Sequence, residues 1–213
     1  MAIAQENITG LVLAGGRASR MHGEDKGLLR LHDKPMIEYT LDVLAPQTSQ
    51  LLISANRNLD RYSRFGHPVI TDNDHGTPAD FRGPLAGILA ALKQCPTSYL
   101  VVTPCDTPLL DPHYVERLNE ALSKEEARAA VAFSGTRIQP LLCMLSKTLV
   151  NSLDHAFNKG LRKVETWMQS IHPAAARFDA QHDMFLNINT PDELQRVETL
   201  LTETKPLEAT GDR

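Results

Sequence analysis

The sequence predicts an α/β fold built on a mostly parallel sheet. Short apolar runs, typical of buried strands, alternate with helix-forming segments over the first 120 residues. This alternation implies βαβ units, in which right-handed crossovers join parallel strands. The chain has 213 residues, 42% of them hydrophobic and 23% charged, which suits one well-cored domain and excludes a disordered or fibrous chain.

Each predicted strand of the first half is an apolar run bounded by polar residues, glycine or proline. These strands are residues 8–14, 51–54, 68–71 and 99–103. The helices between them are predicted after Pro35, over 58–65 and over 85–92. Asp111 and Pro112 are typical of an N-cap and a first helical residue, so another helix is predicted to begin there.

The second half is less regular, and we expect it to form the walls around a second substrate. Its predicted elements are a hairpin around Ser134-Gly135, helices near 146–158 and 162–169, and strands near 174–178 and 184–188. Thr190 and Glu193 have capping-box spacing at the start of a final helix. Residues 1–203 are expected to form a single domain, and 204–213, which show no periodicity, a disordered tail.

Composition excludes several classes of partner. The net charge of −4 offers no positive field for nucleic acid, and the apolar runs are far shorter than the roughly 20 residues that span a bilayer. Residues 1–7 lack the features of a secretory signal. The three cysteines form neither a CxxC pair nor an even disulfide set. We therefore expect a monomeric cytoplasmic protein that binds neither nucleic acid nor membrane.

The loops after the predicted parallel strands should carry the chemistry, because ligands bind beyond the carboxyl ends of such strands. These loops are residues 15–34, 54–57, 71–84 and 104–111. In the first loop, the backbone of Gly15-Gly16 could cradle phosphates while Arg20 and Lys26 supply charge. Five basic and three acidic residues give 17–34 a net charge of +2. The alternative is a structural turn with a solvated charged face.

Two common nucleotide motifs are absent from this loop. Walker A requires Gly-Lys-Ser/Thr, but Lys26 stands between Asp25 and Gly27. Gly15-Gly16 does not match the dinucleotide pattern GxGxxG either. A P-loop NTPase and an NAD enzyme are therefore not indicated.

Asp106 is the candidate metal ligand. It lies between Pro104 and Pro108 after the most apolar predicted strand. A single carboxylate at a strand end suits Mg²⁺, which takes its other ligands from substrate phosphates and water. The alternative is an Asx turn that organises Thr107-Pro108. Its neighbour Cys105 is interpreted as a small buried residue without a catalytic role.

Other polar residues follow the remaining strands. Asn56 and Asp72 could read a base edge or a ribose, and the alternative for both is helix capping. Gly83 precedes a helix whose amino terminus offers bare backbone to a nucleotide. His22 and His75 lie in the candidate loops and could also contact a ligand. Trp167 is interpreted as core.

Taken in order, six motifs of the chain resemble those of the molybdenum cofactor guanylyltransferases, over about residues 8–201. They are Leu13-Ala14-Gly15-Gly16 with Arg20-Met21, Lys26-Gly27-Leu28-Leu29, Ser54-Ala55-Asn56-Arg57, Gly83-Pro84-Leu85-Ala86-Gly87, Pro104-Cys105-Asp106-Thr107-Pro108 and Asn187-Ile188-Asn189-Thr190-Pro191. The chain departs from the family pattern at Ser19 and His22. The resemblance implies a three-layer α/β/α sandwich of the Rossmann-like, GT-A-like nucleotidyltransferase type.

The same resemblance implies transfer of GMP from GTP to molybdopterin, with release of pyrophosphate. It implies that GTP is contacted by Leu13, Ala14, Gly15, Gly16, Lys26, Asn56, Asp72, Gly83 and Asp106. It further implies that Asp106 holds Mg²⁺ and acts in catalysis with Lys26 and Arg20. Asn187 and Asn189 would close the site opposite the nucleotide, near the pterin. Molybdoenzymes or their chaperones would accept the product.

Three alternatives remain open. The related cytidylyltransferases use CTP, but as a family they tend to have Leu-Ala-Ala-Gly where this chain has Leu13-Ala14-Gly15-Gly16. A sugar-phosphate nucleotidyltransferase is disfavoured because the first loop lacks that group's Gly-Thr-Arg arrangement. A non-catalytic nucleotide-binding regulator could keep the glycine loop but would not need Asp106.

Overall fold

The computed structural model describes residues 2–14, 25–72, 83–178, 182–188 and 190–203. The strands in these ranges are β1 (Ile8–Leu13), β2 (Arg30–Leu31), β3 (Lys34–Pro35), β4 (Gln50–Ser54), β5 (Val69–Ile70), β6 (Tyr99–Pro104), β7 (Ala129–Phe133), β8 (Ile138–Ser146) and β9 (Ala174–Arg177). The α-helices are α1 (Met36–Leu44), α2 (Leu59–Ser63), α3 (Pro84–Gln94), α4 (Tyr114–Lys124), α5 (Val150–Asn158), α6 (Val164–Ser170) and α7 (Pro191–Glu203).

The main sheet has seven strands in the order β5-β4-β1-β6-β8-β7-β9. The four strands from β5 to β6 are parallel to one another. Beyond them, β8 is antiparallel to β6 and to β7, and β9 is parallel to β7. The prediction of a mostly parallel α/β sheet is therefore confirmed, and the only antiparallel strand of this sheet among the described residues is β8.

Side-chain alternation along the strands sends apolar residues to both faces of the sheet, where helices cover them. In β1, Ile8 and Val12 pack in one buried cluster with residues of α1 and α4. Leu11 packs in another cluster with residues of α3, α5 and α6. The latter cluster contains Trp167, which is 1% exposed and confirms its interpretation as core. Helices on both faces make the three-layer α/β/α arrangement.

The parallel strands end along one line. Leu13 at the end of β1 pairs with Ser54 on one side and Pro104 on the other, and Ser54 pairs with Ile70. The next residue of three of these strands continues the ladder: Ala14 N donates to Ser54 O (2.9 Å), Ala55 N to Ile70 O (3.0 Å) and Cys105 N to Leu13 O (3.1 Å). The loops that follow these strands therefore start side by side at one edge of the sheet.

Several predicted elements of the second half are confirmed. The hairpin is formed by β7 and β8, with Ser134 N donating to Arg137 O at 3.0 Å. The two predicted helices correspond to α5 and α6, and the first predicted strand to β9. The capping box is also present: Thr190 N donates to Glu193 Oε2 at 2.9 Å, and Glu193 N donates to Thr190 Oγ1 at 3.3 Å.

Two sequence predictions need correction. The helix predicted after Asp111 is present, but its N-cap is His113 and its first residue is Tyr114, not Asp111 and Pro112. The Asp111 carboxylate instead accepts the amide of His113 (2.6 Å) in a turn before the helix. The strand expected near 184–188 is absent: His182–Phe185 is a 3-10 turn, and Leu186 N donates to Asp183 O at 3.0 Å. Met184 and Ile188 are buried there without a strand partner, so the apolar character of this segment does not by itself specify a strand.

The predicted tail, 204–213, lies outside the described residues. In the part of the chain that the structure describes, every helix falls short of the length and apolar character needed to cross a membrane.

Candidate active site

The structure brings the predicted lysine and the predicted metal ligand together. Asp106 follows the end of β6, and Lys26 opens a short 3-10 turn, Lys26–Leu28, at the end of the glycine loop. The Lys26 Nζ atom lies 3.2 Å from Asp106 Oδ2, and the two side chains are 26% and 18% exposed. A cation and a carboxylate thus stand together at the edge where the parallel strands end.

The segment that carries Lys26 is anchored by its neighbour Asp25, which is 3% exposed. Asn58 Nδ2 donates to Asp25 Oδ2 at 2.7 Å, and the Arg57 guanidinium pairs with Asp25 Oδ1. These two partners belong to the loop between β4 and α2. The sequence prediction missed this anchor, because Asp25 appeared only as one of the acidic residues of a charged loop and its partners lie more than 30 residues away.

A close approach beneath Lys26 favours a glycine at position 27. A Cβ atom there would lie 3.1 Å from Tyr62 Oη and 3.2 Å from Cys105 Sγ, both of which are buried. Tyr62 Oη also donates to Ala14 O at 3.4 Å. Tyr62 therefore connects the end of β1 with the Lys26 turn, a role that its helical position in the sequence did not reveal.

Cys105 is buried, as the sequence predicted. Burial, with a smaller contribution from the charge of Asp106, raises the pKa of its thiol well above the ordinary range. The thiol is therefore protonated at neutral pH, which disfavours a nucleophilic role.

The structure also brings Asn56 and Asp72 together. Asn56 Oδ1 accepts the main-chain amide of Asp72 at 3.2 Å, across the ends of β4 and β5. Asn56 is exposed and Asp72 is half-buried. Neither residue is a helix cap, because the N-cap of α2 is Asn58 and that of α3 is Gly83. An amide and a carboxylate are thus available where β4 and β5 end.

Gly83 precedes α3 with a φ of 73°, a left-handed conformation that favours glycine. Pro84 follows as the first residue of the helix. The chain thereby enters α3 through a glycine, which leaves the main chain at the start of the helix uncovered by a side chain, as predicted.

The predicted residues Leu13 and Ala14 lie at the end of β1, at the edge of the sheet where the parallel strands end.

Asp106 also borders a cavity on the other side of β6. This cavity has a volume of about 170 Å³. Its lining consists of Pro104, Asp106, Thr107, Gln139, Pro140, Leu141, Leu142, Phe185 and Asn187. A second cavity of about 510 Å³ shares Gln139 and Phe185 with it. The predicted residue Asn187 is exposed and lies at the same cavity as Asp106, held there by the 3.4 Å bond from Ile188 N to Asp106 O.

The carboxylate of Asp106 suits a hard divalent cation. The adjoining turn is closed by Thr107 Oγ1, which donates to Pro104 O at 2.9 Å, and the Asp106 carboxylate is directed to Lys26 instead. Over the described ranges, no three histidine, cysteine, aspartate or glutamate residues are clustered for a metal ion. An ion held by one carboxylate and completed by substrate phosphates and water is the coordination that Mg²⁺ commonly adopts.

Some predicted residues lie outside the described ranges. They are Gly15, Gly16, Arg20, His22, His75 and Asn189.

A family model for the MobA-like NTP transferase domain matches residues 10–176. Curated molybdenum cofactor guanylyltransferases are similar over most of the chain. The one from Cupriavidus pinatubonensis is 46% identical over 198 residues, which is 91% of this chain and 97% of that protein. The one from Shewanella loihica is 42% identical over 190 residues, 89% of this chain and 95% of that protein.

Solved structures agree with this fold. Molybdopterin-guanine dinucleotide biosynthesis protein A from Archaeoglobus fulgidus superposes with a TM-score of 0.75 at 27% identity, covering 92% of this chain and 99% of that chain. A CMP:2-keto-3-deoxy-manno-octonic acid synthetase in complex with CTP superposes with a TM-score of 0.68 at 13% identity, covering 94% and 99%. At that identity, the second likeness concerns the fold alone.

Proposed function

The chain belongs to the family of MobA-like NTP transferases, and on that premise we propose that it transfers GMP from GTP to molybdopterin. The products are the molybdopterin guanine dinucleotide and pyrophosphate. The observation that carries this proposal is the Lys26–Asp106 pair, 3.2 Å apart, between the aligned ends of the parallel strands and a cavity beyond β6. Such a pair stands where a nucleotide and an acceptor would meet.

The nucleotide is proposed to lie over the parallel strands. Asn56 and Asp72 are held together where β4 and β5 end. They offer an amide and a carboxylate, the groups that pair with the N–H and C=O edges of guanine. Leu13 and Ala14 lie at the end of β1 and are proposed to contact the nucleotide. Gly83 brings the amino terminus of α3. The triphosphate would then extend toward Lys26 and the glycine loop, where the family resemblance places Gly15, Gly16 and Arg20.

The reaction is a displacement at the α-phosphorus of GTP. A terminal phosphate oxygen of molybdopterin forms the new P–O bond, and the bond to the leaving pyrophosphate breaks. The attacking phosphate is already an anion, so the protein needs no strong base, and the barrier is set by bringing two anions into line. Lys26 is placed to donate charge-assisted hydrogen bonds to phosphate oxygens.

Asp106 is proposed to hold the divalent ion, which we infer to be Mg²⁺ from the single carboxylate and the phosphate-rich substrates. When bound, the ion supplies neutralisation of charge on the phosphates. Asp106 also faces the cavity that contains Asn187, so it stands between the two proposed substrates. Asn187 and Asn189 are proposed to contact molybdopterin, and molybdoenzymes or their chaperones to receive the dinucleotide in the cytoplasm.

The direct experiment incubates the purified protein with molybdopterin, labelled GTP and Mg²⁺. We expect labelled guanine dinucleotide and an equal amount of pyrophosphate, and we expect chelation of the metal to stop both. CTP tested in parallel should give little dinucleotide. Equal rates with the two nucleotides would contradict the guanine assignment, and absence of transfer to molybdopterin would contradict the proposed function.

Nucleotide binding can be measured separately by thermal denaturation with GTP, CTP and ATP, each with and without Mg²⁺. A ligand that binds only the folded state raises the free energy of unfolding by RT ln(1 + [L]/Kd). We expect GTP with Mg²⁺ to give the largest shift. Equal stabilisation by all three nucleotides would count against guanine recognition.

A further inference from the structure

The strand β8 carries an irregularity beside the proposed active site. Val131 of β7 pairs with Cys143 of β8, but the next residue, Ala132, pairs with Gln139. One step along β7 thus corresponds to four along β8, and residues 140–142 form a wide bulge. On the other side, the pairing of β8 with β6 ends at Val102–Cys143. The bulge therefore separates β8 from the end of β6.

The bulge builds the cavity beside Asp106. Bulges of this kind commonly re-aim side chains next to active sites. Here Pro140, Leu141 and Leu142 of the bulge line the cavity together with Pro104 at the end of β6 and with Phe185. Pro140 has no amide hydrogen to leave unpaired where the ladder is interrupted. The result is a cavity with largely apolar walls, and Asp106 is one of its polar lining residues.

Gln139, the last residue paired with β7 before the bulge, is the polar residue that β8 contributes to this cavity. It lines both the 170 Å³ cavity and the 510 Å³ cavity next to it. The residue is half-buried. Within the described residues, its side-chain amide has no hydrogen-bond partner. A half-buried amide offers both a donor and an acceptor and gains from a ligand that satisfies them together.

Its position assigns Gln139 to the acceptor and not to GTP. In the sheet order, β6 separates β8 from β1, β4 and β5, whose ends carry the proposed nucleotide residues. A molecule whose phosphate reaches Asp106 from the β8 side would place its remaining part in the cavity lined by Leu141, Phe185 and Gln139.

We propose that Gln139 is a specificity-determining residue that binds the pterin ring of the acceptor. A pterin is a flat heterocycle with a neighbouring ring N–H and C=O. The Gln139 Nε2–H would donate to the carbonyl, and Oε1 would accept the ring N–H. Leu141 and Phe185 would contact the ring faces. This inference rests on the proposed function, since it assumes that the acceptor is molybdopterin.

The test compares Gln139→Met, which keeps the length of the side chain but removes both polar groups, with the wild type in guanylyl transfer. We expect the KM for molybdopterin to rise about tenfold or more, the effect of losing roughly one net hydrogen bond or more. The KM for GTP and the thermal stabilisation by GTP should stay at wild-type values. Gln169→Met, at an exposed position of α6, is the matched control and should change neither constant.

Gln139→Glu is the second variant, because it keeps one acceptor oxygen and the shape but removes the donor. It should also raise the KM for molybdopterin while leaving that for GTP unchanged. An unchanged KM for molybdopterin in both variants would overturn the proposal even if the wild type makes the dinucleotide. A raised KM for GTP would overturn it too, because Gln139 would then serve the nucleotide.

A binding measurement separates this inference from the proposed function. A free pterin, followed by its own fluorescence, should bind the wild type more tightly than Gln139→Met by about tenfold. Equal affinities would overturn the role of Gln139 whether or not transfer is observed. If the wild type binds the pterin with the expected preference but produces no dinucleotide, the proposed function fails and the pterin site stands.

Discussion

The two halves of the main sheet differ in how they bring residues to the site. In the parallel half, β5, β4, β1 and β6 end in register, so short segments after each strand lie side by side. In the other half, β8 reverses direction and carries a bulge of residues 140–142, and the space beside Asp106 exists because the ladder is interrupted there. Regular pairing positions one set of contacts, and a local irregularity positions the other.

This difference suggests a division of labour. A nucleotide has the same phosphates in every enzyme that uses it, and main-chain groups at strand ends suit such a ligand. The acceptor differs between enzymes, and a bulge changes a cavity without disturbing the rest of the sheet. Variants of the two halves should therefore affect the two substrates separately.

The largest effect is expected at the boundary between the halves. Asp106→Ala should fold, because the side chain is at the rim of the site, but its guanylyl transfer should fall by about 10²–10³ or more. The assay is the rate of dinucleotide formation at saturating substrates, with thermal denaturation to check folding.

The matched control for Asp106 is Asp154→Ala. Asp154 also pairs with a lysine, Lys93, at 2.7 Å, but on the helical surface away from the strand ends. It should keep the wild-type rate. A folded Asp106→Ala protein with a normal rate would remove this carboxylate from the mechanism.

A smaller loss is expected for Lys26→Ala. Hydrogen bonds to charged groups contribute about 1.5–3 kcal/mol, so the loss should be about 10- to 150-fold in kcat/KM for GTP. The KM for molybdopterin should change little, because Lys26 is proposed to contact the nucleotide and not the acceptor. Lys93→Ala provides the control. An effect confined to the molybdopterin KM would contradict the division between the halves.

Asp25→Asn tests the anchor of the Lys26 segment. The substitution keeps a hydrogen-bonding side chain beside Asn58 but removes the charge that pairs with Arg57. We expect the free energy of unfolding to fall by about 1–3 kcal/mol and transfer to weaken because Lys26 is less firmly placed. Denaturant titration and steady-state kinetics measure the two effects, and Asp60→Asn, at an exposed position of α2, is the control. Unchanged stability and kinetics would show that Lys26 needs no such anchor.

The smallest effect is expected at His67, before the edge strand β5. Desolvation lowers the pKa of His67, so the unfolded chain binds its proton more readily than the folded protein. The folded state is therefore destabilised as the pH falls through this range, and stability is regained above it. His67→Gln should lose slightly less stability than the wild type between about pH 7 and pH 5, with unchanged transfer. An identical pH dependence of stability in the two proteins would contradict this.

The parallel half was largely predictable from the sequence because each of its strands is a continuous apolar run followed by glycine, proline or polar residues. The row that joins Leu13, Ser54 and Pro104 follows from the rule for parallel sheets. The sequence could predict that Lys26 and Asp106 lie at the same edge of the sheet, but not that their side chains form an ion pair. They are 80 residues apart in the sequence, and the geometry of their loops sets the distance between them.

The other half was less predictable for a physical reason. Residues 184–188 have the apolar character of a strand, but a local turn satisfies their backbone instead of a neighbouring strand. The bulge in β8 depends on register against two partners, and no local sequence signal other than Pro140 marks it. Asp25 and Tyr62 act through residues distant in the sequence, so their roles needed the folded structure.

The most direct test of this account is a crystal structure of the protein with a non-hydrolysable GTP analogue and Mg²⁺. We expect guanine at Asn56 and Asp72, the phosphates at Lys26, and the metal ion on Asp106, with the cavity at Gln139 free of nucleotide. A nucleotide whose base occupies the cavity of the β8 bulge would contradict the assignment of the two halves.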